Sequence, residues 1–360
     1  MGGGLVRAYT SSHINNYVRR EKKAVSTNEQ SLTDFYRGKS IMITGGTGSI
    51  GQHITAELLQ HHPKQIVVFN KDDTKQYLMQ QAYKNVPNVR FMLGDIRDYE
   101  AVHDAMAGID LVFHTAALKQ VPVCESNPLE AVKTNIIGSE NVIRASIGNR
   151  VSKVINISTD KAVNPWNTLG ACKLISEKLF RHGNSLSEHT RFCSVRFGNV
   201  INSRGSVIPI FMEQARTGKP LTLMEKGMSR FFITIAEAVE RIQKALYYSF
   251  GGETFVLKMK ALSIDELAET IRDLYKERGK SVEITMIGAR SSEKHYEELI
   301  FEEEQRHLYE DEELFAVLPP HIPKPYHHFQ QSVVTSYRSD RASTISHSEI
   351  RKILENLYPE

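Results

Sequence analysis

The chain has 360 residues, 41% hydrophobic and 24% charged, an ordinary globular composition with length enough for one large domain or two lobes. Its 45 Lys and Arg against 42 Asp and Glu give a formal charge of +3 with no dominant basic segment, which argues against bulk-charge binding to nucleic acid or a membrane surface. Cys124, Cys172 and Cys193 stand far apart and form no C-x-x-C metal or redox pattern; there is no apolar run of about 18 residues for a membrane span and no apolar signal core, so a soluble, cytoplasmic protein is expected.

Residues 1–38 are polar, start with Gly2, Gly3 and Gly4, and carry a basic cluster at Arg19, Arg20, Lys22 and Lys23. They read as a flexible or surface-lying extension, with an amphipathic anchor or a partner arm as alternatives. From Ser40 short apolar runs at 41–44, 66–69, 89–93, 111–113, 154–157 and 192–195 alternate with helical stretches such as 50–61 and 130–146. Strands of this length alternating with helices predict βαβ units, hence an α/β fold of Rossmann type, a doubly wound parallel sheet. Beyond about residue 205 the alternation loosens: helices are expected at 235–248 and 263–277, strands at 254–257 and 282–287. The expected division is a dinucleotide-binding domain over 39–205 and a smaller C-terminal α/β substrate lobe mainly over 206–360. The acidic stretch 301–313 reads as a solvated face.

Directly after the first strand comes Thr44-Gly45-Gly46-Thr47-Gly48-Ser49-Ile50-Gly51, followed at once by an amphipathic helix. Glycines there permit a tight turn and close approach of a pyrophosphate, and the helix N-terminus offers free N–H groups. The strand–turn–helix context makes Gly45, Thr47, Gly48, Ser49, Ile50 and Gly51 a dinucleotide cradle. The second strand ends in Asn70, Lys71, Asp72 and Asp73: an amide and a cation where an NAD site places an acid, which favours NADP, although Asp72 and Asp73 can still reach a ribose. Asp95, ending the third strand, is placed for an adenine or for a turn.

The fifth strand runs into Ser158-Thr159-Asp160-Lys161-Ala162, where acid, base and hydroxyl emerge at the carboxyl edge of the sheet. A desolvated carboxyl group and lysine there would have pKa values shifted toward neutrality, suited to proton transfer; the same residues are also good helix caps. Lys173 follows four residues after Leu169. This pattern resembles the extended short-chain dehydrogenase/reductases, whose Tyr-x-x-x-Lys signature is matched at Lys173 but carries Leu169 in place of the tyrosine.

Further ordered blocks sharpen the resemblance: Asp72-Asp73-Thr74-Lys75-Gln76, Gly94-Asp95-Ile96-Arg97-Asp98, Ala116-Ala117-Leu118-Lys119-Gln120-Val121-Pro122, Lys133-Thr134-Asn135, Arg196-Phe197-Gly198-Asn199-Val200, Ser203-Arg204-Gly205-Ser206-Val207 and Ser229-Arg230-Phe231. The chain is similar over about residues 40–299 to the inverting UDP-N-acetylglucosamine 4,6-dehydratases. That resemblance implies a tightly bound NADP, or NAD, recycled in each turnover, with Lys75, Ile96, Ala116, Ala117, Lys119, Asn135 and Lys173 joining the cradle. It implies transient oxidation at C4 of the sugar, removal of the C5 proton by Lys161, departure of the 6-hydroxyl with a proton from Asp160, reduction at C6, and a C4 oxygen bound by Thr159. Asn199, Arg204, Ser206 and Val207 would line the uridine path, Arg230 and Arg290 the diphosphate, Glu293 the ribose, and Lys119 the sugar. A homo-oligomer is implied as well. Leu169 cannot act as the usual phenolic base, which keeps two rivals open: a UDP-hexosamine 4-epimerase and a non-catalytic NADP-binding scaffold.

Overall fold

A computed structural model of the chain describes residues 27–203, 205–288, 292–320 and 328–359. The main sheet is built from β1 (Ser40–Thr44), β2 (Gln65–Asn70), β3 (Val89–Leu93), β4 (Leu111–His114), β5 (Lys153–Ile157) and β6 (Arg191–Arg196), joined by β10 (Thr254–Leu257). The spatial order runs β3-β2-β1-β4-β5-β6-β10, all parallel. Every residue of β1 and β4 is buried, as a strand covered by helices on both faces requires. The order reverses between β1 and β4, so a crevice opens where the two carboxyl ends diverge.

The division at residue 205 is only approximate. The antiparallel strands β13 (Leu308–Glu310), β14 (Leu314–Val317) and β15 (Gln330–Gln331) extend the main sheet beyond β10, giving ten strands among the described residues. The rest of the C-terminal half forms a separate layer, with β7 (Asn199–Val200), β9 (Ser229–Ile233) and β11 (Lys260–Ser263) in one small sheet and β8 (Leu221–Leu223) paired with β12 (Ile284–Met286) in another. A second apolar core, including Phe211, Phe232, Leu267, Ile271 and Leu354, joins these to the helices Val207–Arg216, Ile264–Glu277 and His347–Leu357.

Three expectations are corrected. Residues 1–26, including the basic cluster, lie outside the described residues, but Thr27–Tyr36 is a helix rather than a loose extension. Its Leu32 and Tyr36 enter the core, Phe35 stacks edge-on with Tyr247, and the Tyr36 hydroxyl donates to the Gln243 carbonyl at 2.8 Å. The single helix expected over 130–146 is a short helix Pro128–Val132, a π-helical turn Lys133–Ile137 and the helix Gly138–Gly148. In the acidic stretch, Glu304 leaves the solvated face and reaches the buried Arg196 at 2.7 Å, while Glu310 and Glu313 pair with Lys258 and Lys244.

Candidate active site

The cradle sits at the carboxyl end of β1. Gly45 has φ +67°, a left-handed conformation that disfavours side chains, and a Cβ there would lie 2.7 Å from Ala116 Cα, so the turns after β1 and β4 touch backbone to backbone. A Cβ on Gly51 would meet Gly46 Cα at 2.5 Å, so the turn folds tightly over the start of the helix Ser49–Leu59. That helix is capped by Gly48 with no side-chain hydrogen bond, leaving its first N–H groups directed at the crevice. These features fit a dinucleotide pyrophosphate.

The flanking residues divide. Asn70 ends β2 and Lys71 follows it, while Asp95 and Ile96 lie just past the end of β3 on the same edge of the sheet. Asp95 is held below the ordinary carboxylate range: partial burial opposes this, but the hydrogen bonds from Arg97, at 2.6–3.0 Å, and the charge of Lys71, at 3.7 Å, prevail. Asp72 caps the helix Asp73–Ala82 by accepting from the Lys75 N–H and pairs with the Lys75 ammonium, so both are committed to local structure. Asn135, in the π-helical turn, spends both ends of its amide on the Leu118 backbone at 2.8 and 2.9 Å. It positions the Ala116-Ala117-Leu118-Lys119 loop. Lys119 itself is exposed.

Past β5 the chain turns through Ser158 and Thr159 into a 3-10 turn at Asp160–Ala162. Asp160 is fully buried, and its Oδ1 accepts from Thr159 Oγ1 at 2.8 Å and Lys161 Nζ at 3.0 Å, while Oδ2 has no hydrogen-bond partner among the described residues. Burial alone would depress the Lys161 pKa, but Asp160 and then Glu297, 3.7 Å away, outweigh it and hold the ammonium form above its ordinary value. This reverses the shift expected from the local segment. The turn is fixed from both sides: Asp160 N–H donates to the Phe197 carbonyl, and Gly170 presses on the Lys161 carbonyl so closely that a Cβ would lie 2.1 Å from its oxygen.

Gly170 belongs to the helix Thr168–Leu186, capped by Asn167 and by Glu125, which accepts from the Thr168 N–H. One face carries Lys173, whose Nζ donates to the Ile157 carbonyl at 2.7 Å; burial lowers its pKa to about 8, against the charge of Glu177. Leu169, one turn earlier, is buried with Val121, Cys124, Ala131 and Cys172 in a small apolar cluster. Behind β5, Glu177 binds Ser158 Oγ at 2.5 Å and Arg196 at 2.7 Å, an ionic network that fixes the strand end.

Arg230 on β9 is buried and donates to the carbonyls of Ser229, Lys294 and His295, with Glu293 at 4.0 Å and Glu297 at 3.9 Å. Its side chain therefore also organises the segment after residue 291. Asn199 opens β7, and Ser206 and Val207 start the helix Val207–Arg216; Arg204 and Arg290 lie outside the described residues. Two groups escaped the sequence reading. Glu297 lies four residues beyond Glu293, and nothing in the local sequence marks it, because its partners Lys161 and Arg230 come from distant parts of the chain. His114, at the end of β4, joins Thr44 to Ser139 by hydrogen bonds and is kept neutral by burial and then by Lys173, its pKa lowered to about 3.

The model of a family described as polysaccharide biosynthesis protein matches residues 41–319. An uncharacterized membrane protein of Methanocaldococcus jannaschii is 42% identical over 334 residues, 91% of this chain and 98% of that protein. Among the described residues here, no helix is long and apolar enough to cross a membrane. A UDP-glucose 4-epimerase of Rickettsia bellii is 44% identical over 272 residues, 74% of this chain and 79% of that one. Among solved structures, Pen from Bacillus thuringiensis superimposes with a TM-score of 0.85 at 39% identity, covering 90% of this chain and 99% of that one. DesIV, a dTDP-glucose 4,6-dehydratase from Streptomyces venezuelae, shares the fold with a TM-score of 0.63 at 20% identity, covering 71% of this chain and 86% of that one. With its Gly-rich turn, 3-2-1-4-5-6 strand order and lysine-bearing helix beside the fifth strand, this chain belongs to the polysaccharide biosynthesis protein family on an extended short-chain dehydrogenase/reductase fold.

Proposed function

We propose that the protein is a nucleotide-sugar dehydratase that converts UDP-N-acetylglucosamine to a UDP-4-keto-6-deoxyhexosamine with inversion at C5. The observation that carries this reading is the hydrogen-bonded Asp160–Lys161 pair at the carboxyl end of β5, a fully buried carboxyl group beside a partly exposed lysine. Elimination needs an acid and a base together, whereas a 4-epimerase, the name borne by the Rickettsia relative, uses neither after C4 oxidation. A bound nicotinamide dinucleotide supplies the transient oxidation at C4 and the reduction at C6.

The resting pair is a carboxylate and an ammonium. Moving one proton along their 3.0 Å hydrogen bond yields a carboxylic acid and a neutral amine without changing the total charge. Lys161 then takes the C5 proton, which the C4 ketone has acidified, and Asp160 protonates the departing 6-hydroxyl. Leu169 holds no proton, so Thr159, already hydrogen-bonded to Asp160, hands the C4 hydroxyl proton on to solvent and the pair keeps its single proton; hydride return to C6 then draws one proton from solvent to the opposite face of C5.

Gly45, Thr47, Gly48, Ser49, Ile50 and Gly51 hold the pyrophosphate, and Lys173 the ribose beside the nicotinamide. Asn70 and Lys71 favour NADP over NAD, a preference that parallel titrations of both forms measure directly. Arg230 and Glu293, with Arg204 and Arg290, serve the UDP moiety. Exposed Leu129, Ile137 and Ile175 support assembly into a homo-oligomer, which light scattering reads. The decisive experiment incubates the protein with UDP-N-acetylglucosamine: a product lighter by one water, lost in Asp160→Asn and Lys161→Ala, supports the reading, and a product of unchanged mass supports the epimerase.

A further inference from the structure

Glu297 is 3% exposed, and its backbone is locked: its N–H donates to Ser339 Oγ at 3.0 Å and its carbonyl accepts from the Ser339 N–H at 2.9 Å. Its carboxylate points into the catalytic turn. Oε1 lies 3.7 Å from Lys161 Nζ and 3.9 Å from Arg230 Nε; Oε2 has no hydrogen-bond partner among the described residues and stands 4.0 Å from Lys294 Nζ. Lys294 is tied to the same turn by donating to the Val163 carbonyl at 2.6 Å. Every element packed here contributes charge: the β5 turn gives Asp160 and Lys161, β9 gives Arg230, and Glu297's own segment gives Glu293, Lys294 and Glu298.

A carboxylate buried with one oxygen unpaired is costly unless nearby cations stabilise it. It is close enough to Lys161 for charge to act but too far for a direct hydrogen bond. We propose that Glu297 is a positioning residue that governs the protonation of Lys161 through its charge, an assignment that rests on Lys161 being the C5 base. While Glu297 is ionised, the ammonium is favoured. When Glu297 takes up a proton, which burial makes easier by raising its pKa, Lys161 loses one of its two carboxylate neighbours and releases its proton more readily.

Competitive acetylation of the full chain across a pH series, read at Lys161 by peptide mass spectrometry, tests this without requiring turnover. The Lys161 side chain is 21% exposed, within reach of a small reagent. Glu297→Gln is expected to lower the Lys161 labelling midpoint by about one to three pH units, and Glu297→Asp, which keeps the charge, to restore most of it. An unchanged midpoint in Glu297→Gln overturns the proposal. Should that variant fail to fold, Asp160→Asn decides by leaving Glu297 as the remaining carboxylate neighbour of Lys161: a Lys161 midpoint at or below that of exposed Lys84 in the same digest overturns the proposal, and one above supports it. In turnover, the acid limb of the kcat profile moves to lower pH in Glu297→Gln, which a purely structural role would not produce. If the wild type converts no UDP-hexose while the Lys161 midpoint still falls, the dehydratase reading fails and the control of Lys161 by Glu297 stands.

Discussion

Replacing Lys173 by Met separates what the residue does for function from what it costs the fold. Burial lowers its pKa from 10.5 to about 8 even with Glu177 nearby, a difference of about 2.5 units that corresponds to about 3 kcal/mol against the folded ammonium at neutral pH. Because folding depresses this pKa, the unfolded chain binds the extra proton between about pH 8 and 10.5. The penalty is complete below that window, shrinks through it, and is gone above it, so wild-type stability rises with pH across it. Methionine removes the penalty but leaves the Ile157 carbonyl without its 2.7 Å donor, a loss of about 1 kcal/mol. Lys173→Met should therefore be about 2 kcal/mol more stable than wild type at pH 7 while losing dinucleotide affinity. By pH 9.5 the penalty has fallen to roughly 1 kcal/mol, so the advantage disappears. Denaturant unfolding of both proteins at the two pH values measures this. A Lys173→Met protein less stable at pH 7, or a difference that does not change with pH, would refute the reasoning.

Gly170→Ala forces a Cβ to within 2.1 Å of the Lys161 carbonyl oxygen, a backbone atom that cannot swing aside, so the catalytic turn must shift; kcat/KM should fall about 100-fold with circular dichroism unchanged. Glu177→Gln leaves the buried Arg196 with only Glu304 as counter-charge and should lower stability by about 3 kcal/mol in denaturant unfolding. Gly51→Ala drives a Cβ into Gly46 and should weaken dinucleotide binding at least about tenfold by calorimetry, whatever the sugar substrate.

The parallel sheet was legible because its strands are short, mostly apolar and bounded by turns, as in Ser40–Thr44 and Lys153–Ile157. The cradle was legible because strand, glycines and helix are adjacent in sequence. What escaped depends on distant partners. Tyr36 looked like part of a polar arm until the helix Ile235–Tyr248 supplied a surface for it. Glu304 looked solvated because Arg196 stands over 100 residues earlier. At Lys161 the segment Thr159-Asp160-Lys161 contains the carboxylate that raises its pKa most, but not the second one, Glu297, that the fold sets opposite and that adds to it. Leu169 was visible at once as a missing phenol, and the fold adds that it is packed among apolar neighbours.

The central claim, that Asp160 and Lys161 carry out an elimination, is tested most directly by running the reaction with UDP-N-acetylglucosamine in deuterium oxide and examining the product by NMR. Elimination through C5 predicts a 4-keto, 6-methyl sugar carrying solvent deuterium at C5, formed by wild type and absent from Lys161→Ala. A UDP-hexosamine that keeps its 6-hydroxyl, epimerised at C4 and free of deuterium at C5, would contradict it.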